Sequence, residues 1–399
     1  MTYDVERVRS HFPALGHGIA HFDGPGGSQT PDVVGAAVAG VMTSGVSNRG
    51  RVTAAERRAD DTVTAARLAI GDLLAAPPDG VVFGRSMTQL TYAFSQMLAA
   101  TWEPGDEVVV TRLDHDANIR PWVQSAERVG ATVRWAELDP ATGELAADAV
   151  AAVMSSRTRL VAVTAASNLI GTRPDVAAIG RLAHNAGAVL YVDGVHYAAH
   201  ASADVGAIGA DLFACSPYKF LGPHCGVVAG RPELLASLRP DKLLPATDEV
   251  PERFELGTLP YELLAGTTAA VDFLAAIGPG GGETRRGDLV AAFAAIEEHE
   301  DALRLRLEAG LHDLGATLYS RAAQRTPTLL FTFDGRDSTE LYRFLAARGV
   351  DAPAGSFYAI EASRALGLGD DGAVRVGLAP YTNDDDVDRL LDGLRAFVA

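Results

Sequence analysis

The sequence predicts an α/β fold: a mostly parallel, doubly wound sheet in a large domain, joined to a smaller α+β C-terminal domain. Three observations carry this expectation. Short apolar, β-rich runs alternate with helical stretches at the spacing of βαβ units. Several of those runs stop at polar residues able to do chemistry, as strands do at the ligand edge of an open parallel sheet. Gly278-Pro279-Gly280-Gly281-Gly282 is the clearest linker in the chain. The expected boundaries are residues 16–277 for the large domain, 278–282 for the linker, and 1–15 with 283–399 for the small domain.

Taken in order, His21 to Pro31 (HFDGPGGSQTP) is a glycine-rich turn before a helix that begins near Pro31. A short GPGG by itself reads as a loop. Asn48-Arg49-Gly50-Arg51 is a second polar turn, followed by a helix from about Ala54 to Leu74. Val81 to Gly84 reads as a strand that runs through Arg85-Ser86-Met87-Thr88-Gln89 into a helix ending near Ala99. Ser86 with Gln89 three residues on is a capping-box pattern. Strand, short turn and helix N-terminus together make a phosphate seat, with free N–H groups, a favourable dipole and the hydroxyls of Ser86 and Thr88. An ordinary cap, however, needs no ligand.

Val108 to Leu113 is a β-rich run ending in Asp114-His115-Asp116, with Asn118 and Trp122 following on a helix. A histidine there can lie flat on an aromatic cofactor and shuttle protons, or it can simply cap the helix. Ala131 to Ala136 and Leu160 to Ala166 are further strands, the second ending in Ser167-Asn168. A helix from Pro174 to Ala186 leads to the apolar run Ala188 to Val192, which stops at Asp193. The next run, Asp211 to Cys215, stops at Ser216 and Lys219. After Gly222 and Gly226 the chain reads as variable to Glu249. Arg253 to Thr258 then precedes a hydrophobic helix, Glu262 to Ile277. Beyond the linker lie a long helix, about Leu289 to Leu314, and mixed elements ending in an Asn383-capped helix whose three leading aspartates suit its dipole. Val374-Arg375-Val376-Gly377 is an apolar strand with one arginine, which calls for a planar anion: a substrate carboxylate or a structural acid.

Composition narrows the function. The 399 residues are 48% hydrophobic and 21% charged, which suits a two-lobed globular enzyme. A net charge of -17 argues against a nucleic-acid or anionic-membrane surface. Two cysteines, Cys215 and Cys225, make no disulfide framework, fit a reducing compartment and have no metal-site spacing. The first residues lack the apolar core of a secretory signal, and no later run is apolar for long enough to span a bilayer. The expectation is a soluble, cytoplasmic protein without a metal.

Lys219 and Asp193 carry the chemistry. Both stand where a buried strand stops, so both point into one crevice on the strand-end rule. A buried lysine has its pKa lowered and becomes an amine nucleophile, while a buried aspartate stays charged only beside a cation. Pyridoxal phosphate (PLP) asks for that pair: a lysine for its aldehyde and a carboxylate for its ring nitrogen. The alternatives at this point are a turn-capping Asp193 and a solvated Lys219. A dinucleotide-binding dehydrogenase is disfavoured because no GxGxxG follows the first strand.

The ordered motifs HDAN-PW, SN-GT, VDG-H, S-x-x-K and R-x-G resemble those of fold-type I PLP enzymes of the class V aminotransferase family, most closely the cysteine desulfurase-like branch. The resemblance covers nearly the whole chain. It implies that Lys219 forms the aldimine, that Asp193 partners the pyridine nitrogen and that His115 stacks on the ring. Asn168 and His196 match residues near the ring hydroxyl, although desulfurases usually carry glutamine at the latter place. Ser86, Thr88 and Ser216 match the phosphate seat, with the backbone of Met87, which replaces a hydroxyl residue. Thr258 resembles a threonine that reaches the phosphate of a neighbouring protomer, which implies a homodimer with shared sites. Arg375 matches the arginine that holds the carboxylate of a small amino-acid substrate. One departure stands out: Tyr358, in Ala354-Gly355-Ser356-Phe357-Tyr358, occupies about the place of the desulfurase cysteine. Persulfide transfer needs a thiolate, so a thiol-dependent desulfurase is not expected. The resemblance implies transamination or C–S β-elimination on an amino acid, with epimerisation or racemisation and a non-catalytic PLP-fold protein as alternatives.

Overall fold

The computed structural model describes residues 3–399. At its centre lie seven strands: β1 (Val81–Gly84), β2 (Glu107–Thr111), β3 (Thr132–Ala136), β4 (Thr158–Thr164), β5 (Val189–Asp193), β6 (Leu212–Cys215) and β7 (Gly226–Gly230). They are ordered β1-β7-β6-β5-β4-β2-β3. β2 to β6 run parallel, whereas β7 is antiparallel to both its neighbours.

Apart from the edge strand β3, whose Thr132 and Arg134 are exposed, these strands form because their runs are largely apolar on both faces, as a sheet covered by helices on both sides requires. Side chains alternate across it: Val161, Val163, Leu190, Val192 and Phe213 enter one core cluster, and Leu160, Ala162, Tyr191 and Leu212 enter the other. Register then sets the working edge. Thr164 pairs with Asp193, and Asp193 with Ala214, so three strands come level at their carboxyl ends.

The helices follow their sequence signals closely. Ala54–Leu74 opens with a full capping box, in which Thr53 and Glu56 bond each other's backbone. Met87–Ala99 begins at Ser86, whose Oγ accepts from Gln89 N at 3.1 Å, so the first half of that expected box forms. Asn383 and Asp386 cap the last helix, Asp384–Val398, reciprocally.

Two elements lie where the sequence reads as variable: β7 and the helix Pro232–Ser237. β7 is GVVAG, bounded by glycines and built from small residues, so its apolar signal is weak. The leading glycine has a packing reason. A Cβ on Gly226 would lie 2.2 Å from the backbone carbon of Ser86, so β7 can run close beneath the turn only without a side chain there.

Beyond the linker, the helix Arg285–Asp313 leads to an antiparallel sheet of β8 (Thr317–Leu318), β9 (Thr328–Thr332), β10 (Ala354–Gly355) and β11 (Ala373–Gly377), ordered β10-β11-β9-β8. Its core includes Leu329, Phe331, Val374 and Val376. Ala20 and Phe22 join that core, and Ala20–His21 pairs in parallel with Val350–Asp351. Ala20 and Phe22 thus pack with the second lobe, whereas Val8 and Phe12 join the core cluster that holds Val161 and Val192. From this anchor the chain delivers Asp23 to Gly26 onto the working edge. No helix among the described residues is long and apolar enough to cross a membrane.

Candidate active site

A cavity of about 640 Å³ lies beyond the carboxyl ends of the parallel strands. Every residue singled out from the sequence lines it except Thr258, which is solvent-exposed in the turn after Glu252–Phe254. Thr258 is therefore not brought to the cavity of its own chain.

Asp193 is the last residue of β5, and Lys219 ends the short 3-10 turn Pro217–Lys219 that follows β6. Asp193 is 4% exposed, and Val195 N donates to its Oδ1 at 2.9 Å. Burial pushes its carboxyl up to about 6, opposed by the Val195 bond and the Lys219 charge. Burial, then the Arg375 charge, brings the Lys219 amine down to about 7, while Asp23 and Asp193 oppose the fall. The amine donates to the carbonyls of Pro25 and Gly26, the latter at 3.0 Å, and lies 4.8 Å from the centre of the Tyr218 ring. At neutral pH a substantial share of this amine carries a free lone pair.

One end of the cavity is a helix N-terminus. Met87 N and Thr88 N have no intrahelical acceptor, Ser86 and Thr88 add hydroxyls, and Ser216 supplies a third from the end of β6. Such an end attracts an anion.

His115 caps the 3-10 turn Asp116–Asn118, its Nδ1 accepting from Ala117 N at 3.0 Å. The sequence left capping and cofactor contact as alternatives; the ring caps and also lines the cavity. Burial, then Lys219 and Arg375, lowers its pKa to about 4, so it is neutral at pH 7. Behind it sits Asp114, fully buried, accepting from the Thr111 hydroxyl and from Asn118 Nδ2 at 2.7 Å; Asn118 in turn accepts from Trp122 Nε1 at 3.0 Å. Burial, helped by the Asp193 charge, raises Asp114 to about 8, which makes it a neutral acid that anchors the loop. His196 Nε2 lies 2.9 Å from Thr326 Oγ1 and 3.0 Å from Thr328 Oγ1, both from the second lobe.

On the opposite wall, Arg375 projects from β11 and is 1% exposed. Its Nη2 pairs with Asp23, its Nη1 donates to Asn168 O at 3.0 Å, and its carbon lies 3.6 Å from the Phe357 ring centre. Nε is buried without a partner, as is Asn168 Oδ1. Asn168 Nδ2 donates to Phe357 O at 3.0 Å and Asp116 N to Tyr358 O at 2.7 Å, so two side-by-side residues with φ of +51° and +59° are pinned in the left-handed region. Tyr358 stands at the mouth, 76% exposed.

Sequence reasoning passed over Asp23, Pro25 and Gly26, which it read as an ordinary loop, and the cavity residues Tyr92, Arg120 and Tyr218. One signal was available: Lys219 and Lys242 are the only lysines in the chain. Lys242 bonds Ala246 O at 2.8 Å and Asp248 at 3.2 Å, away from the cavity. Such sparing use of lysine draws the eye to the one that lines the cavity.

The chain is similar to known proteins over nearly its whole length. An uncharacterized protein, MT3887, of Mycobacterium tuberculosis is 34% identical over 99% of both chains. The aminotransferase-like protein FGM3 of Gibberella zeae is 32% identical over 98% of both. Among solved structures, the cysteine desulfurase CsdA of Escherichia coli superposes with a TM-score of 0.87 at 28% identity, covering 99% of this chain and 98% of its own. The family described as Aminotransferase class-V matches residues 20–390. A match of that extent, on a fold shared with a cysteine desulfurase, places the chain in the class V aminotransferase family.

Proposed function

We propose that this protein is a PLP-dependent enzyme acting on a small amino acid with a free α-carboxylate, by transamination or by β-elimination at a C–S bond. The observation that carries the reading is the meeting of a low-pKa amine, Lys219, and a buried carboxylate, Asp193, in one cavity with an anion-attracting helix end.

The residues fit the cofactor. A carboxylate forced to keep a raised pKa gains most from a cationic ring nitrogen beside it, and Asp193 is such a group. Ser86, Met87, Thr88 and Ser216 would hold the phosphate. His115, neutral at pH 7, would cover the ring, with Asn168 and His196 beside its hydroxyl. Bound there, PLP supplies an electron sink for the pair of electrons left on the substrate α-carbon.

The chain does the rest. Lys219, near pH 7 in pKa, serves as nucleophile and then as the base and acid that moves the α-proton. Arg375, with its unpartnered Nε, holds the carboxylate. Tyr358 and Phe357 bound the side-chain space. Neither cysteine lines the cavity, and burial raises both thiols, Cys225 to about 11, which speaks against sulfur transfer through a protein thiolate. We further propose a homodimer in which the exposed Thr258 reaches the phosphate in the partner's cavity.

The test is to mix the PLP-loaded protein with a panel of amino acids. Pyruvate with ammonia or sulfide means elimination, and a keto acid with the pyridoxamine form of the cofactor means transamination. Absence of any product or spectral change across the panel overturns the reading.

A further inference from the structure

Arg375 is closed off from solvent, 1% exposed, and a guanidinium so enclosed meets a new anion only if one of its present covers moves. There are three. The Asn168 carbonyl belongs to the backbone after β4 and is fixed. The Phe357 ring lies flat on the guanidinium. Asp23 is the third, and it alone is both charged and partly open to water, with its side chain 33% exposed in the cavity wall.

Asp23 also begins a tight turn. Its carbonyl accepts from Gly26 N at 2.9 Å and from Gly27 N at 3.0 Å. A Cβ on Gly26 would fall 2.1 Å from Asp23 Oδ2, so the glycine leaves the room that the carboxylate fills. Two further carbonyls of the turn, of Pro25 and Gly26, hold the Lys219 amine. One short segment thus grips both cations of the cavity, Arg375 by a side chain and Lys219 by the main chain.

We propose that Asp23 is a positioning residue: it is the resting counter-ion of Arg375, it yields the guanidinium to an incoming substrate carboxylate, and that exchange draws the turn's carbonyls away from the place the Lys219 amine takes when it is not joined to the cofactor. The proposal rests on the reading of Arg375 as the carboxylate site. One negative charge replaces another, so the cavity's charge balance is kept while the carbonyls that favour the ammonium form lose their place. The free amine is then available in the state that needs it as a base. Lys219 is faced by Asp23, Asp193, Arg375, His115, His196 and the Tyr218 ring. Of these, Asp23 and Asp193 are the two that raise its pKa.

Two readouts on the cofactor-free protein test this, in wild type, Asp23→Asn, Asp23→Ala, Asp23→Glu and Arg375→Ala. Calorimetry measures the affinity for propionate, a bare carboxylate. With the competitor removed, Asp23→Asn and Asp23→Ala bind propionate at least about tenfold more tightly than wild type. Acetic anhydride labelling against pH, read by mass spectrometry with Lys242 as internal reference, gives the midpoint of Lys219. It falls in Asp23→Asn and Asp23→Ala and returns toward the wild-type value in Asp23→Glu. If Arg375→Ala abolishes propionate binding while both Asp23 variants bind it no more tightly than wild type, the exchange is overturned and the role of Arg375 stands. If Arg375→Ala leaves propionate binding unchanged, the carboxylate site itself is misassigned and the exchange falls with it. An unmoved Lys219 midpoint in both Asp23 variants overturns the coupling to the amine.

Discussion

The two walls of the cavity are built in different ways. On the strand-end wall, Asp193, Ser216 and Lys219 follow parallel strands whose register is fixed by the sheet. On the second-lobe wall, Arg375 also leaves a strand, but the groups its guanidinium touches lie in loops: Asp23, the Asn168 carbonyl and Phe357 of the left-handed Phe357–Tyr358 pair. Positions in that backbone region cost about 1 kcal/mol or more for residues other than glycine and persist only where neighbours hold them. The difference teaches where chemistry and selection are separated. Groups on the first wall are placed by sheet register, and groups on the second by side-chain and loop contacts.

Changes to the first wall should cost most. Lys219→Ala removes nucleophile and base together, and turnover should fall by at least about 10²–10⁴-fold, with the visible absorbance of the PLP-loaded protein lost as well. An unchanged visible band in this variant would break the comparison at its strongest point. Arg375→Ala on the second wall removes charge-assisted bonds, worth about 1.5–3 kcal/mol, so kcat/KM should fall roughly 10–100-fold, mostly through KM. A fall confined to kcat would mean that this wall also takes part in the chemistry.

A pH prediction sharpens the electrostatics. The folded-state pKa of Asp193 is raised to about 6, above the carboxylate value of 3.8 in the unfolded chain. Between those values the folded state keeps a proton that the unfolded state has released, so stability of the cofactor-free protein falls as pH rises through that window. The slope from this group is at most about 1.4 kcal/mol per pH unit. Asp193→Asn should flatten its share of the slope in denaturant titrations, and PLP should do so in the wild type by supplying a cation. The smallest effect belongs to Ser86→Ala, which removes a helix cap for about 1 kcal/mol and weakens PLP affinity without altering the pH at which Lys219 titrates.

Much of this was legible in the sequence, for physical reasons that differ by element. Strands β4 to β6 were readable because burial on both faces forces near-continuous apolar runs, and the polar residue that stops each run marks the ligand edge. β7 escaped because valine and alanine between glycines carry little signal, although packing beneath Ser86 demands that smallness. Asp23 escaped because nothing local distinguishes it: its partner, Arg375, is 352 residues away. Arg375 itself was read as binding either a substrate carboxylate or a structural acid, and the fold gives it an acid, Asp23, that lines the same cavity.

The central claim is that one amine, Lys219, takes up the cofactor opposite Asp193. Borohydride reduction of the PLP-loaded protein followed by peptide mapping tests it directly, since the chain offers only Lys219 and Lys242 as side-chain amines to be labelled. A stable pyridoxyl adduct on Lys219 alone, lost on Lys219→Ala, is the predicted result. An adduct on Lys242, or none on either lysine, would contradict it.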